Sequence, residues 1–78
     1  MNKSQLEMLR NLYPKGTRLE CLFMDDSQAV PPGTKGTVSH IDDMGTIHMH
    51  WDNGSSLGLI DGEDKFCKCS EHKMIQTM

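Results

Sequence analysis

Apolar and polar side chains alternate along residues 46–51. Ile47, Met49 and Trp51 fall on one side of an extended chain, and Thr46, His48 and His50 on the other. The pattern predicts a strand whose first set faces a core, with Trp51 the largest single contributor. A second run of β-formers, Thr37-Val38-Ser39-His40-Ile41, lies just before it, and Asp42-Asp43-Met44-Gly45 between the two has the chemistry of a tight connection. After Trp51 comes Asp52-Asn53-Gly54, where Asn-Gly favours the positive φ values of a primed turn, so a third antiparallel strand is predicted over residues 55–60.

Upstream, residues 17–24 alternate Leu19, Cys21 and Phe23 against Arg18, Glu20, Leu22 and Met24 and predict a first strand with both faces partly apolar. Ser4-Gln5-Leu6-Glu7 fits a capping box, and Leu6, Leu9 and Leu12, with Met8 and Tyr13 beside them, form one apolar stripe. A helix over residues 4–12 follows, stopped by Pro14 and Gly16. Asp25-Asp26-Ser27 and Val30-Pro31-Pro32-Gly33 define a proline-stiffened loop of the kind that lines binding grooves. A last acidic turn, Asp61-Gly62-Glu63-Asp64, leads to a closing strand over residues 65–69, and residues 70–78 form a tail without strand period. The expected fold is mainly β. It is one domain over residues 1–78, with a small SH3-like core at 15–69 in which four to five strands make a strongly bent antiparallel sheet or half-open barrel, plus one short N-terminal helix.

Seventy-eight residues leave stability thin, and seven Met stand in for part of a sparse Leu, Ile, Val and Phe set, so a staple would help. The net charge of −3 repels phosphate backbones and anionic membranes and makes a basic protein surface the more natural partner. No direct nucleic-acid binding is expected. No apolar run is long enough to cross a membrane and Met1-Asn2-Lys3-Ser4-Gln5 is no secretory leader, so the expected location is the cytoplasm, as a monomer or weak dimer.

Three Cys in a reducing compartment point to metal rather than to disulfides. Cys67-x-Cys69-x-x-His72 supplies two thiolates and an imidazole, a set that structural zinc prefers. The fourth ligand is expected from Cys21 on the neighbouring first strand, or from one of His40, His48 and His50. One residue between Cys67 and Cys69 is a short spacing and demands a bend at Lys68. His48 and His50 share a strand face, and with His40 on the neighbouring strand they could form an imidazole cluster, a pH-sensitive or metal surface. With no acid expected near enough to orient the rings, the favoured reading is a polar outer face. Asp25 and Asp26, Asp42 and Asp43, and Asp61, Glu63 and Asp64 make three acidic turns. Two or more on one side would form a patch for a Lys/Arg-rich partner, whereas Asp52 reads as turn chemistry. No phosphate-cradling loop, helix-borne His-Glu-x-x-His, or spaced nucleophile and base is present, so no enzyme is predicted.

The segments Tyr13-Pro14-Lys15-Gly16-Thr17-Arg18, Met24-Asp25-Asp26, PPGTKGTV and GTIHMHWDNGSSLGL resemble a family of small uncharacterised domains in Firmicutes, their phages and mobile elements. The Gly-Thr-Val strand and Trp-Asp-Asn-Gly turn are also similar to SH3-like domains of some eukaryotic ubiquitin ligases. In size, acidity and phage-like context the chain resembles anti-CRISPR proteins. That resemblance implies a non-catalytic, zinc-stapled inhibitor that binds a basic region of a defence nuclease, Cas9 first, and blocks DNA loading. The alternative is an SH3-like peptide- or nucleic-acid-binding module serving the mobile element.

Overall fold

The strand predicted over 46–51 forms within those bounds, and its neighbours assemble around it. The computed structural model describes residues 2–69. Helix α1 (Lys3–Leu12) precedes strands β1 (Arg18–Phe23), β2 (Lys35–Ile41), β3 (Thr46–Trp51), β4 (Leu59–Ile60) and β5 (Lys65–Lys68), all antiparallel in one sheet of order β4-β3-β2-β1-β5.

Five strands spaced at about 4.8 Å would put the edges of a flat sheet roughly 19 Å apart. Here one tight turn joins the two edge strands: the Asp64 amide donates to the Ile60 carbonyl at 2.9 Å, and the Ile60 amide to Asp64 Oδ2 at 2.8 Å. The sheet therefore curls strongly until its edges approach, but no ladder joins β4 to β5 and it is not closed. No described helix is long and apolar enough to cross a membrane.

One interruption of the alternation sets the inner face. Gly36 and Val38 point inward opposite Trp51 and Met49, and period two would then bring His40 inward and Ile41 outward. A bulge at Ser39 inserts one unpaired residue, so Ile41 is buried opposite Ile47 and His40 turns to the outer face opposite His48. Leu19, Val38, Ile47, Met49 and Leu59 are all at most 2% exposed, and Trp51 is 3% exposed. Gly36 belongs there because a Cβ would stand 2.7 Å from Trp51 Cε3.

Four local expectations need correction. The helix is capped two residues early: Asn2 Oδ1 accepts from the Gln5 amide at 2.8 Å and Gln5 Oε1 accepts from the Asn2 amide at 3.1 Å. Asn caps as well as Ser, and Gln at the third position does the work expected of Glu7. The packed stripe is Leu6, Leu9 and Tyr13, while Leu12 is 46% exposed and Met8 63%. Arg10 instead ties the helix to the sheet by donating to the Ile41 carbonyl through Nη2 at 2.8 Å and Nε at 3.2 Å.

The Asn53-Gly54 turn is not primed, since no residue but glycine has positive φ. Asn53 Oδ1 accepts from the Ser55 amide, and only Gly54 (φ +94°) is left-handed, which makes a three-residue bulged connection. The fourth strand is shorter than residues 55–60 because the inward Trp51 indole N–H donates to the Leu57 carbonyl at 2.7 Å and draws that segment out of the ladder. The 25–34 loop sends Val30, with Met24 before it, into the core and rejoins β1 where Gly33 and Thr34 bond Cys21.

Candidate functional site

Pairing with β1 decides where the three cysteines stand. Cys21 is in register with Phe66 and fully buried, with its thiol 3.8 Å from the Val30 carbonyl oxygen. Burial first, then the carboxylates of Asp64 and Glu20, pushes this thiol above its ordinary pKa. Cys67 is in register with Glu20 one position on, and the Cys69 amide donates to the Arg18 carbonyl, so Cys67 and Cys69 share the outer face. Cys21 thus stands across the sheet from the pair it was expected to join. His72 lies outside the described residues. Among those residues no group of three or more Cys, His, Asp and Glu gathers closely enough to hold a metal ion.

Two of the three acidic turns meet. Asp64 ends the turn between β4 and β5, and its Oδ1 accepts from the Asp25 amide at 3.3 Å, so Asp25 and Asp26 adjoin Asp61, Glu63 and Asp64 at one corner. None of these five carboxylates forms an ion pair among the described residues. The third turn is engaged internally. Asp42 Oδ1 accepts from the Met44 and Thr46 amides at 2.9 and 3.0 Å, while Asp43 meets Arg10 at 3.1 Å. Asp52 is not idle turn chemistry either, because Arg18 grips both its oxygens at 2.9 and 2.7 Å and also bonds Thr37.

On the outer face His40 and His48 do come together, with an acid that the sequence reading missed. Asp42 Oδ2 accepts from His48 Nε2 at 2.8 Å, so an acid does orient this ring. His40 stacks on His48 with centroids 4.3 Å apart and planes within 7°. The signal was the broken alternation at Ser39, which moves His40 opposite His48. The His48 bond, then the Thr46 and Met44 amides, hold the Asp42 carboxyl below its usual range, and Arg18 does the same for Asp52.

At the acidic corner the surface is also aromatic. Tyr13, closing the helix, meets Phe66 edge to face at 5.5 Å, and Lys68 Nζ lies 5.5 Å from the Tyr13 ring centroid. A bulge at Leu22 breaks the β1–β5 register and leaves Leu22 and Phe23 46% and 53% exposed. Tyr13, Leu22, Asp61, Asp64, Lys65 and Phe66 line an open cleft of about 330 Å³. Burial, then Asp61, raises the Tyr13 hydroxyl pKa.

Residues 2–69 match the model of a domain of unknown function, DUF4314, and the chain belongs to that family. The match takes in the helix as well as all five strands. No curated protein and no solved structure matches the chain.

Proposed function

We propose that this DUF4314 chain is a non-catalytic binding module of SH3-like type that takes a Lys/Arg-rich surface of another protein on its acidic corner. The observation that carries the reading is the Asp25–Asp64 hydrogen bond, which joins two loops distant in sequence into one field of five carboxylates without a paired cation among the described residues. Such a field steers a basic partner into contact, while exposed apolar side chains beside it supply the anchors. Defence nucleases hold nucleic acid on Lys/Arg-rich channels, so Cas9-type enzymes of the bacterial host are the partner class to test first. Occupying such a channel would block DNA loading.

Zinc remains part of the proposal in altered form. With Cys21 on the inner face, the ligand set is reduced to Cys67, Cys69 and His72. Elemental analysis of protein purified without added zinc should then find about one zinc per chain, lost in a Cys67→Ser, Cys69→Ser variant.

The functional test is pull-down and DNA-cleavage inhibition with several Cas9 orthologues at two salt concentrations. Capture and inhibition that weaken when Asp25, Asp26 and Glu63 are replaced by Asn, Asn and Gln support the reading. No capture and no inhibition across the orthologues removes the nuclease assignment. Direct binding to free DNA that weakens steeply with salt would favour a nucleic-acid module instead.

A further inference from the structure

Asp61 separates two clefts rather than lining one. On its sheet side is the 330 Å³ cleft of Tyr13, Leu22 and Phe66. On its helix side Gln5, Met8, Leu9 and Leu12 line a second of about 230 Å³, and Asp61 closes that one too. The clefts therefore abut at a single residue. Apolar side chains that the fold leaves uncovered flank it on both sides: Met8 and Leu12 on the helix, Leu22 on the bulge of β1.

The carboxylate itself is uncommitted. Asp64 uses both oxygens on backbone amides, whereas Asp61 has no hydrogen bond or ion pair with its side chain among the described residues. A carboxylate between a mainly apolar cleft and a mixed one, in which Lys65 lies beside Tyr13, Leu22 and Phe66, is complementary to a cation carried between two apolar side chains. Lys68 already lies over the Tyr13 ring, so an incoming cation pairs with Asp61 rather than with that ring. A guanidinium does this better than an ammonium, because its planar fork meets both carboxylate oxygens and is less strongly hydrated.

We propose that Asp61 and the two clefts it divides bind an extended segment of a partner protein with the pattern apolar-x-Arg-x-apolar, the arginine on Asp61 and one apolar side chain in each cleft. Side chains two apart on an extended chain point the same way, about 6–7 Å from one another, so one short segment presents all three together. The inference rests on the reading of the chain as a binder of basic proteins and names the anchor that reading lacks.

The test is fluorescence anisotropy at pH 7 with the full chain and a labelled peptide Gly-Leu-Ser-Arg-Ser-Leu-Gly. Companion peptides carry citrulline for arginine, lysine for arginine, or serine for both leucines. Saturable binding is expected that drops at least about tenfold with citrulline, with Asp61→Asn, and with Leu22→Ser, and less with lysine. Asp61 and Leu22 are exposed, and unchanged Trp51 emission confirms that each variant is folded. Equal binding of the citrulline peptide, equal binding by Asp61→Asn, or no binding at millimolar protein overturns the proposal. If Asp61→Asn binds normally while Asp25→Asn with Asp26→Asn does not, the cleft assignment fails and the basic-partner reading stands. If partner capture and peptide binding are both absent, both fail.

Discussion

Replacing Gly36 by alanine tests how the centre of the sheet is packed. The added methyl would lie 2.7 Å from Trp51 Cε3 and 3.0 Å from both the His50 carbonyl oxygen and Trp51 Cα. Carbon atoms in contact prefer about 3.5–4.0 Å, so the β2–β3 pair must open by roughly 1 Å or the indole must move. Neither is easy. The two close backbone atoms belong to the ladder partner, and the indole is buried and held by its bond to the Leu57 carbonyl. Overpacking of this kind costs about 1–3 kcal/mol, offset by about 0.5–1 kcal/mol because alanine restricts the unfolded chain. The net loss is centred on about 1 kcal/mol, or roughly 4–8 °C in Tm for a domain of this size. Thermal unfolding followed by the emission of the single Trp reports the site directly. A Gly36→Ala, Trp51→Leu double variant should be less destabilised than the sum of its parts, by on the order of 1 kcal/mol. A variant as stable as the wild type with unshifted emission, or a strictly additive double variant, would refute the reasoning.

Asp42 and Asp52 have carboxyl groups held below their unfolded pKa, so as pH falls the unfolded chain takes up protons first. Their contribution is complete above about pH 4 and lost as pH drops through the folded values. The urea midpoint of the wild type should therefore fall more steeply between about pH 4 and pH 2 than that of an Asp42→Asn, Asp52→Asn variant, and equal slopes would contradict the assignment. Trp51→Phe leaves the Leu57 carbonyl without its donor and should cost about 1–3 kcal/mol by chemical denaturation, whereas a loss below measurement error would mean water replaces the indole. In a Cys67→Ser, Cys69→Ser variant the remaining Cys21 should resist a thiol reagent until the chain opens, and prompt labelling under native conditions would contradict its burial. Asn2→Ala should lower stability by about 1 kcal/mol while Ser4→Ala changes little, and the reverse order would restore the cap to Ser4.

Local periodicity determined the secondary structure. Alternation placed β3, the glycine-bearing acidic segments placed the turns, and apolar spacing with Pro14 placed the helix. These signals are legible in sequence because each depends on neighbours within a few residues. What lies across the sheet was not. The bulge at Ser39 inverts the parity of β2 and sets His40 against His48 and Asp42. The registers of β1 with β5 put Cys21 and Cys67 on opposite faces, a matter of one residue in pairing. The acidic corner depends on a sheet curled until residues 25 and 64 touch, and the twin clefts need the helix and the bulge at Leu22 brought to Asp61. The β1–β5 pairing, the corner and the clefts join segments tens of residues apart, whose meeting depends on the twist and packing of the whole sheet rather than on any local run of side chains.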